Sequence, residues 1–419
     1  MNKPEIAPGR SNSQAILEFV RTEAAGGIGL AAGALIALIW ANTTTRFSYQ
    51  AFWHRSLPGL RFGSLPVSTP QELVDNVAMT VFFLAIGLEV ARERAEGSLR
   101  DLRDAILPVA GALGGMAGAA VVYLSVVTFA GNRSVLNGWG VPMATDVAFT
   151  LGALALLGTR IPSELRAFVL TLAVADDIAS VVVLSIVSAS KVNAFMILLA
   201  GAVLVVVFKV RRYFLRAWWL YVVASILEWV LLALGGVEPS LAGALVGMLV
   251  PVIAADSGDR ELMPEGTDKN LAGPLLEAVV HPVSTYLILP IFALANTGVT
   301  LSSALWTDPR ARDVAVGVLS ARVLGKATGI TFAVALMVKL RTGRLPENVR
   351  WSHILGAAVL CGMGFTVPLL FAIASFPHEP LVVNSAKIAL IAGTLVTFTL
   401  GASVLIVIHA AHRRHDRVG

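Results

Sequence analysis

Long apolar stretches alternate with short charged or Pro- and Gly-rich joints along nearly the whole chain. Each stretch holds roughly 17–30 residues, the length that an α-helix needs to cross the hydrocarbon core of a bilayer. The pattern predicts twelve transmembrane spans in an all-α polytopic membrane protein. They cover residues 24–41, 72–91, 105–130, 139–158, 164–188, 192–209, 217–235, 239–255, 272–299, 313–338, 352–375 and 382–410. Because no joint exceeds about thirty residues, we expect residues 1–419 to form a single transmembrane domain.

The composition agrees with this pattern and excludes an ordinary soluble domain. Hydrophobic residues make up 56% of the 419 residues, charged residues 14%, and the mean hydropathy is +0.77. The single cysteine, Cys361, excludes an intramolecular disulfide framework, and its apolar surroundings favour a small core residue over a reactive thiol. Residues 1–14 are polar and lack the apolar core of a signal peptide, so we expect the first span to remain in the mature chain.

The net charge of +5 indicates topology and not a nucleic-acid partner, because the cations are unevenly distributed over the joints. If the N-terminus is cytoplasmic, the joints on that side hold 22 of the 32 lysines and arginines, and the outer joints hold 7. The remaining three, Arg322, Lys326 and Lys387, lie within spans, where a charge is costly. This bias predicts two cytoplasmic termini, with a short N-terminal segment at about 1–20 and a tail at about 411–419. The longest outer joint, Asn42–Thr69, is rich in aromatic residues and fits either a hairpin or interfacial loop or a simple connector at the membrane surface.

Two adjacent carboxylates, Asp176 and Asp177, lie in the middle of the apolar run 165–187. One ionised Asp at the centre of a transmembrane helix costs about 2.5–3.5 kcal/mol, so two in succession indicate a function. Adjacent helical residues point about 100° apart, and the pair must therefore face two different partners. Lys326, near the middle of span ten, needs a carboxylate partner, and either Asp can supply it.

The Asp of the tandem pair that does not contact Lys326 can bind either a proton or a cation. Competition between the two ions for this one carboxylate amounts to cation/proton exchange. The alternative is a purely structural ion pair between Lys326 and one Asp. That alternative explains one carboxylate and leaves the others in the spans unexplained.

Spans four and eleven contain residues that interrupt a helix. A Gly and a Pro precede Thr145 and Asp146 in span four, and span eleven contains two Gly and a Pro within residues 360–368. A hydroxyl and a carboxylate beside freed carbonyl groups supply only oxygen ligands, which hard cations such as Na+ and Li+ prefer. Interrupted helices also place half-helix ends inside the membrane, and Asp146 and Lys326 are candidates to balance their partial charges. A simple kink or close helix packing is the alternative at either stretch alone.

Five stretches carry a resemblance to a known family. They are Ala78–Val90, Ala144–Phe149, Leu172–Ile178, His281–Gly298 and Leu324–Lys326. Together, in order over nearly the whole chain, they closely resemble the NhaA family of bacterial sodium/proton antiporters. The resemblance implies twelve transmembrane helices with inverted repeats formed by spans three to five and ten to twelve. It also implies that spans four and eleven are broken and cross at the membrane midplane, with both termini cytoplasmic.

The resemblance further implies roles for the residues of the spans. Asp177 would be the principal carrier of Na+ and protons, and Asp176, the second residue of this Na+ site, would be the partner of Lys326. Thr145 and Asp146 would lie at the helix crossing, where Asp146 compensates half-helix charge. The presence of Lys326 implies electrogenic exchange with two protons entering for each cation that leaves.

A second group of residues matches positions that the family associates with the cytoplasmic ion funnel and the pH response. They are Glu89, Arg92, Glu93 and Glu277. Carboxylates at the mouth of a site attract cations and titrate, so activation at alkaline pH is expected. The resemblance thus implies a secondary transporter of Na+, Li+ and H+ in the bacterial inner membrane, not an enzyme, that serves sodium and pH homeostasis. No resident cofactor and no nucleic acid is expected, and a homodimer is compatible with the family.

Several positions depart from the family pattern. They are Ala278 and Glu238 in place of His, Asn76 (beside Asp75) in place of an acid, Pro368 in place of Ser, and Ala327 in place of Pro. These departures leave the transport residues in place and concern the expected pH response.

Two other function classes are compatible with charged residues in the spans. In an intramembrane aspartyl protease, Asp146 and Asp177 would activate water together, but the Gly-x-Gly-Asp type of motif is absent and Lys326 would disturb a shared proton. A passive cation channel would need a selectivity-filter sequence, and no repeated sequence of that kind is present.

Overall fold

The computed structural model describes residues 12–57, 65, 67–97, 99, 102–158, 161–189, 192–252, 271–346 and 348–415. The described part of the chain is helical, and its turns and short joints contain no strand. The principal helices are α1 (Asn12–Asn42), α2 (Arg46–Trp53), α3 (Met79–Glu96), α4 (Leu102–Phe129), α5 (Val147–Leu157), α6 (Ser163–Ser188), α7 (Ala194–Val210), α8 (Trp218–Gly235), α9 (Leu241–Gly247), α10 (Ala272–Val283), α11 (Leu289–Asn296), α12 (Pro309–Ser320), α13 (Lys326–Lys339), α14 (Trp351–Leu360), α15 (Thr366–Ser375) and α16 (Pro380–His415). A 3-10 helix covers Arg133–Gly140, and π-helical segments cover Leu73–Ala78, Ser284–Ile288 and Ala321–Gly325.

Eight helical stretches of the described residues are long and apolar enough to cross a membrane. They are Ala25–Asn42, Pro70–Ala95, Ala105–Phe129, Ser163–Ser188, Trp218–Gly235, Ala272–Asn296, Pro309–Lys339 and Pro380–Ile408. Each coincides with one of the predicted spans, because a long apolar helix is the structure that leaves no backbone group unsatisfied in lipid. The chain is therefore a multi-span membrane protein.

The other four predicted spans are built from shorter helices. The predicted span 192–209 contains α7, and 239–255 contains α9, which ends at Gly247 before a turn; residues 253–255 lie outside the described part. The predicted spans 139–158 and 352–375 are interrupted: residues 141–146 and 361–365 are not helical. Both interruptions fall at the Gly and Pro residues of these stretches, which weaken a helix.

The two interrupted segments contact each other. The Asp146 backbone N–H donates to the Met363 carbonyl oxygen at 3.0 Å, and Thr145 Oγ1 donates to the Cys361 carbonyl oxygen at 2.8 Å. These hydrogen bonds between the two interruptions replace the backbone hydrogen bonds that a continuous helix would have formed. Cys361 is a free, fully buried residue of this contact.

The outer joint Asn42–Thr69 contains a helix, α2, and not a hairpin in its described part; residues 58–64 lie outside the description. Tyr49 and Trp53, four residues apart, are the buried side chains of α2, as expected for one face of a helix. Tyr49 Oη donates to the carbonyl oxygens of Leu294 and Ala295 at 2.9 and 2.8 Å, so α2 packs against the end of α11. Because aromatic residues occur throughout the joint, the spacing of Tyr49 and Trp53 does not stand out in the sequence as a helical pattern.

The predicted chain ends fall partly outside the described residues. The segment expected at 1–20 is described only from residue 12, where α1 begins. The tail expected at 411–419 is instead a continuation of α16 to His415, and residues 416–419 lie outside the described part.

Glycines allow α4 and α13 to pack with their backbones in contact. A Cβ atom at Gly118 would lie 2.4 Å from the carbonyl oxygen of Gly325 and 2.8 Å from Cα of Gly329. Both distances are far below van der Waals contact, so only a residue without a side chain fits.

Gly118→Ala is therefore expected to lower the free energy of unfolding by about 1–3 kcal/mol, because the added methyl group forces the two helices apart. Thermal unfolding of the purified protein in detergent measures the change. Gly201→Ala in α7 is the matched control, since no atom lies within 4 Å of its would-be Cβ, and it should be neutral or slightly stabilising. Equal melting temperatures of the two variants would contradict the close contact.

Candidate ion-binding site

A buried ion pair joins α6 to the first residue of α13. Lys326 Nζ lies 2.9 Å from Asp176 Oδ2, and both residues have 0% relative exposure. Asp176 Oδ2 also accepts the Thr145 backbone N–H at 2.6 Å, and Lys326 donates a second hydrogen bond to the Met143 carbonyl oxygen. A buried ion pair needs such additional hydrogen bonds to offset the loss of hydration. The pair therefore fixes span five, span ten and the interruption of span four relative to one another.

Asp177, the next residue, faces a different environment. It is 4% exposed and lines a cavity of about 40 Å³ that Thr145 and Asp146 also line. Among the described residues, no Lys or Arg forms an ion pair with Asp177. Because adjacent helical side chains point about 100° apart, Asp176 contacts the Lys326 ammonium group while Asp177 faces the cavity.

Asp146 lies at the beginning of two helices. It immediately precedes α5, and its Oδ2 accepts hydrogen bonds from Thr366 Oγ1 at 3.0 Å and from the Thr366 backbone N–H at 3.3 Å. A carboxylate at a helix N-terminus interacts favourably with the positive end of the helix dipole. Asp146 is 5% exposed and Thr366 1% exposed, so this interaction takes place in a low-dielectric environment. Thr366 was in a motif of the sequence but had no predicted role.

Arg322 lies at the carboxyl end of the other interrupted helix, α14. It is 1% exposed, and its Nε and Nη2 atoms donate to the Gly362 carbonyl oxygen at 2.8 and 2.6 Å. The sequence placed this arginine in a span without a role. Its position four residues before Lys326, one helical turn on the same face, was the available signal. Arg322 and Lys326 thus each contact a carbonyl oxygen at one interruption, where the partial charge is negative.

Arg322→Met is expected to lower the free energy of unfolding by about 1–3 kcal/mol, because the buried Gly362 carbonyl group loses its donors. Thermal unfolding tests this, with Arg322→Lys expected to recover part of the loss. Arg133→Met is the control, since Arg133 is exposed and should tolerate the change. Identical stability of the Arg322→Met and Arg133→Met variants would show that the contact contributes nothing.

The predicted funnel residues lie along α3 and α10. Glu89 lines the same cavity as Asp177, together with His281, whose motif was noted in the sequence without a role. Arg92, one turn further along α3, forms a salt bridge with Glu277, and both side chains are about one-third exposed. Glu93 Oε1 accepts a hydrogen bond from Thr171 Oγ1 at 3.4 Å. Of the four residues, only Glu89 therefore lines the cavity, and the others follow within about one turn of α3 or are bound to it by the salt bridge.

The cavity could hold a cation only through a few oxygen atoms at a time. Within the described residues, no group of three or more His, Cys, Asp or Glu side chains converges as a metal-binding cluster. Carboxylate and hydroxyl oxygens from Asp177, Asp146 and Thr145 line the space. This incomplete set of oxygen ligands suits a hard cation that binds transiently and keeps water molecules in its coordination shell.

A paired and an open carboxylate between interrupted helices define a multi-span ion transporter. The chain belongs to the Na+/H+ antiporter 1 family, whose sequence model matches residues 17–405.

Named relatives and one solved structure agree with this family. "Na(+)/H(+) antiporter NhaA 3" of Frankia alni is 37% identical over 96% of this chain and 89% of its own length. "Na(+)/H(+) antiporter NhaA" of Bartonella bacilliformis is 33% identical over 99% of this chain and 98% of its own. The structure of the sodium proton antiporter MjNhaP1 from Methanocaldococcus jannaschii covers 93% of this chain and 99% of its own, with a TM-score of 0.51 and 14% identity. At that identity the likeness concerns the fold alone.

Proposed function

We propose that the protein is an electrogenic secondary antiporter that extrudes cytoplasmic Na+, or Li+, in exchange for external protons. The observation that carries the proposal is Asp177 facing a cavity beside the ion pair of Asp176 and Lys326. The family and the names of the relatives support Na+ and H+ as the exchanged ions.

The exchange follows from the two states of one carboxylate. In a low-dielectric cavity the Asp177 carboxylate is stabilised either by a proton or by a cation, and the two exclude each other. Lys326 and the Thr145 backbone N–H both bind Oδ2 of Asp176, and the nearby ammonium group stabilises this carboxylate in its ionised form. One site that alternates between the two ions, opened to one side of the membrane at a time, couples their opposite movement.

We assign the remaining features of the transporter as follows. Residues 1–419 form one domain of twelve spans with inverted repeats, in which spans four and eleven are broken and cross at the membrane midplane. The contacts of Asp146 with Met363 and Thr366 support the crossing. The bias of the lysines and arginines supports two cytoplasmic termini. The membrane in this proposal is a bacterial inner membrane.

We further propose two protons per Na+, with Lys326 taking part in the second, and activation at alkaline pH. The position of Glu89 in the cavity supports a pH response, together with the nearby titratable groups of α3 and α10, which are Arg92, Glu93 and Glu277, since neighbouring titratable groups influence one another's charge. The protein needs no resident cofactor in this mechanism, because the transported ions supply all the charge that moves. A homodimer is compatible with the proposal.

The test uses the wild-type protein in everted membrane vesicles and in proteoliposomes. Added Na+ should collapse a respiration-generated proton gradient in the vesicles, and a Na+ gradient across proteoliposomes should drive a current. Na+ flux that ignores the proton gradient would support a passive channel instead. Cleavage of a membrane-anchored reporter that is lost with Asp146 or Asp177 would support a protease, although Thr366 already occupies one oxygen of Asp146.

A further inference from the structure

Another buried carboxyl group, that of Glu228, lies in the middle of α8, outside the cavity that Asp177 lines. Glu228 is 0% exposed, and neither of its carboxyl oxygens has a hydrogen-bond partner among the described residues. Ser225 Oγ and Tyr221 Oη are also buried and without a partner in that part of the chain. The three residues, at positions i, i+4 and i+7, share one face of the helix and span about 10 Å along its axis. A row of polar groups therefore runs along the buried face of α8.

The surroundings of Glu228 differ from those of the carboxylates in the proposed exchange site. Asp176 has Lys326 and Asp146 has Thr366, but no described Lys, Arg or His forms an ion pair with Glu228. An ionised carboxylate without a donor is among the most costly groups to bury.

A proton bound to one carboxyl oxygen removes the cost of burying the ionised carboxylate. Na+ would instead need several oxygen ligands at once. The neighbouring hydroxyl groups of Ser225 and Tyr221 lie one and two helical turns away along α8. Neither hydroxyl group is hydrogen-bonded to Glu228, and groups spread along one helix in this way cannot enclose a metal ion together with Glu228. The geometry therefore favours a proton as the ligand.

The position of Glu228 separates it from the Asp177 cavity. Trp229, the adjacent residue, donates from Nε1 to the Asn76 carbonyl oxygen at 3.2 Å, so this part of α8 contacts the π-helical segment before α3. Glu228 is not among the residues that line the cavity around Asp177.

We propose that Glu228 is a proton-binding site separate from the exchange site. The chain then holds at neutral pH one bound proton that takes no part in the exchange cycle. The proposal does not depend on the ions that the protein transports.

Infrared spectroscopy of the full-length protein in liposomes tests the proposal. At neutral pH without Na+, Glu228→Gln should remove the carbonyl-stretching band of one protonated carboxylic acid per chain. Glu379→Gln is the matched control, because Glu379 forms an ion pair with Arg310 and should contribute no such band. An unchanged band in the Glu228→Gln variant would overturn the proposal. So would a Glu228 band that Na+ abolishes in an Asp177→Asn background, since it would identify a cation site.

Glu228→Leu provides a second readout if the glutamine variant folds poorly. Replacing a buried, unpartnered polar group by an apolar one of similar size should raise the melting temperature and leave Na+/H+ exchange intact. The infrared band should again be lost. A lower melting temperature together with a retained band would contradict the assignment.

Discussion

Na+-driven proton release is expected to fall to the background of protein-free vesicles when Asp177 is replaced by asparagine. The amide cannot ionise, so it can neither take up a proton nor offer a full negative charge to Na+. Of the two tandem carboxylates, Asp177 faces the cavity, whereas Asp176 is bound by Lys326 and by the Thr145 backbone N–H. Collapse of the proton gradient in everted vesicles after addition of Na+ is the measurement.

The matched control for this variant is Glu228→Gln, which also removes one membrane-buried carboxyl group but leaves the cavity unchanged. It should retain exchange. Asp177→Asn should also retain its melting temperature, because Asp177 has no ion pair to lose in the described structure and a neutral amide is cheaper to bury. Normal exchange by a folded Asp177→Asn protein would remove the central residue of the proposed function. Loss of exchange in both variants would show that the effect is not specific to the cavity.

The long spans could be predicted from the sequence because their length is set by the bilayer and not by tertiary contacts. Runs such as 164–188 and 217–235 differ from Ser163–Ser188 and Trp218–Gly235 by one residue at most. The loop helix α2 could not be predicted in this way. Its hydrophobic residues pack against the end of α11, and that contact is between residues about 245 positions apart.

The charged residues of the site could be predicted from the sequence, because burying a charged side chain in the membrane is costly in free energy. That cost singled out Asp146, Asp176, Asp177 and Lys326 without any structure. Helix geometry could say only that the tandem carboxylates face apart. The contact of Lys326 with Asp176 depends on how α6 and α13 pack, which a single helix does not determine.

The partner of Arg322 could not be predicted from the sequence. The same cost of charge marked Arg322 as unusual, yet its partner is a backbone carbonyl group at Gly362 and not a side chain. A search for opposite charges along the sequence cannot find such a partner, because every residue has a carbonyl group. Only the interruption of span eleven makes this one available.

Lys326→Ala is expected to be the most destabilising single change in the site. It leaves the Asp176 carboxylate charged in a fully buried position, which costs about 3–5 kcal/mol. The melting temperature measures this loss. Lys339→Ala, at the exposed end of the same helix, should have no comparable effect. Asp176→Asn in the Lys326→Ala background should restore much of the stability, because the remaining group is then neutral.

The same Lys326→Ala variant tests the proposed stoichiometry. Exchange of two protons for one Na+ moves one net charge per cycle, and exchange of one for one moves none. If Lys326 takes part in the second proton, the variant should still couple Na+ to pH changes in proteoliposomes while the Na+-driven current falls to background. The comparison is made at equal amounts of folded protein, so that lower stability does not imitate a lower current. An undiminished current per folded molecule would show that Lys326 acts only as the partner of Asp176, and the second proton would then need another carrier.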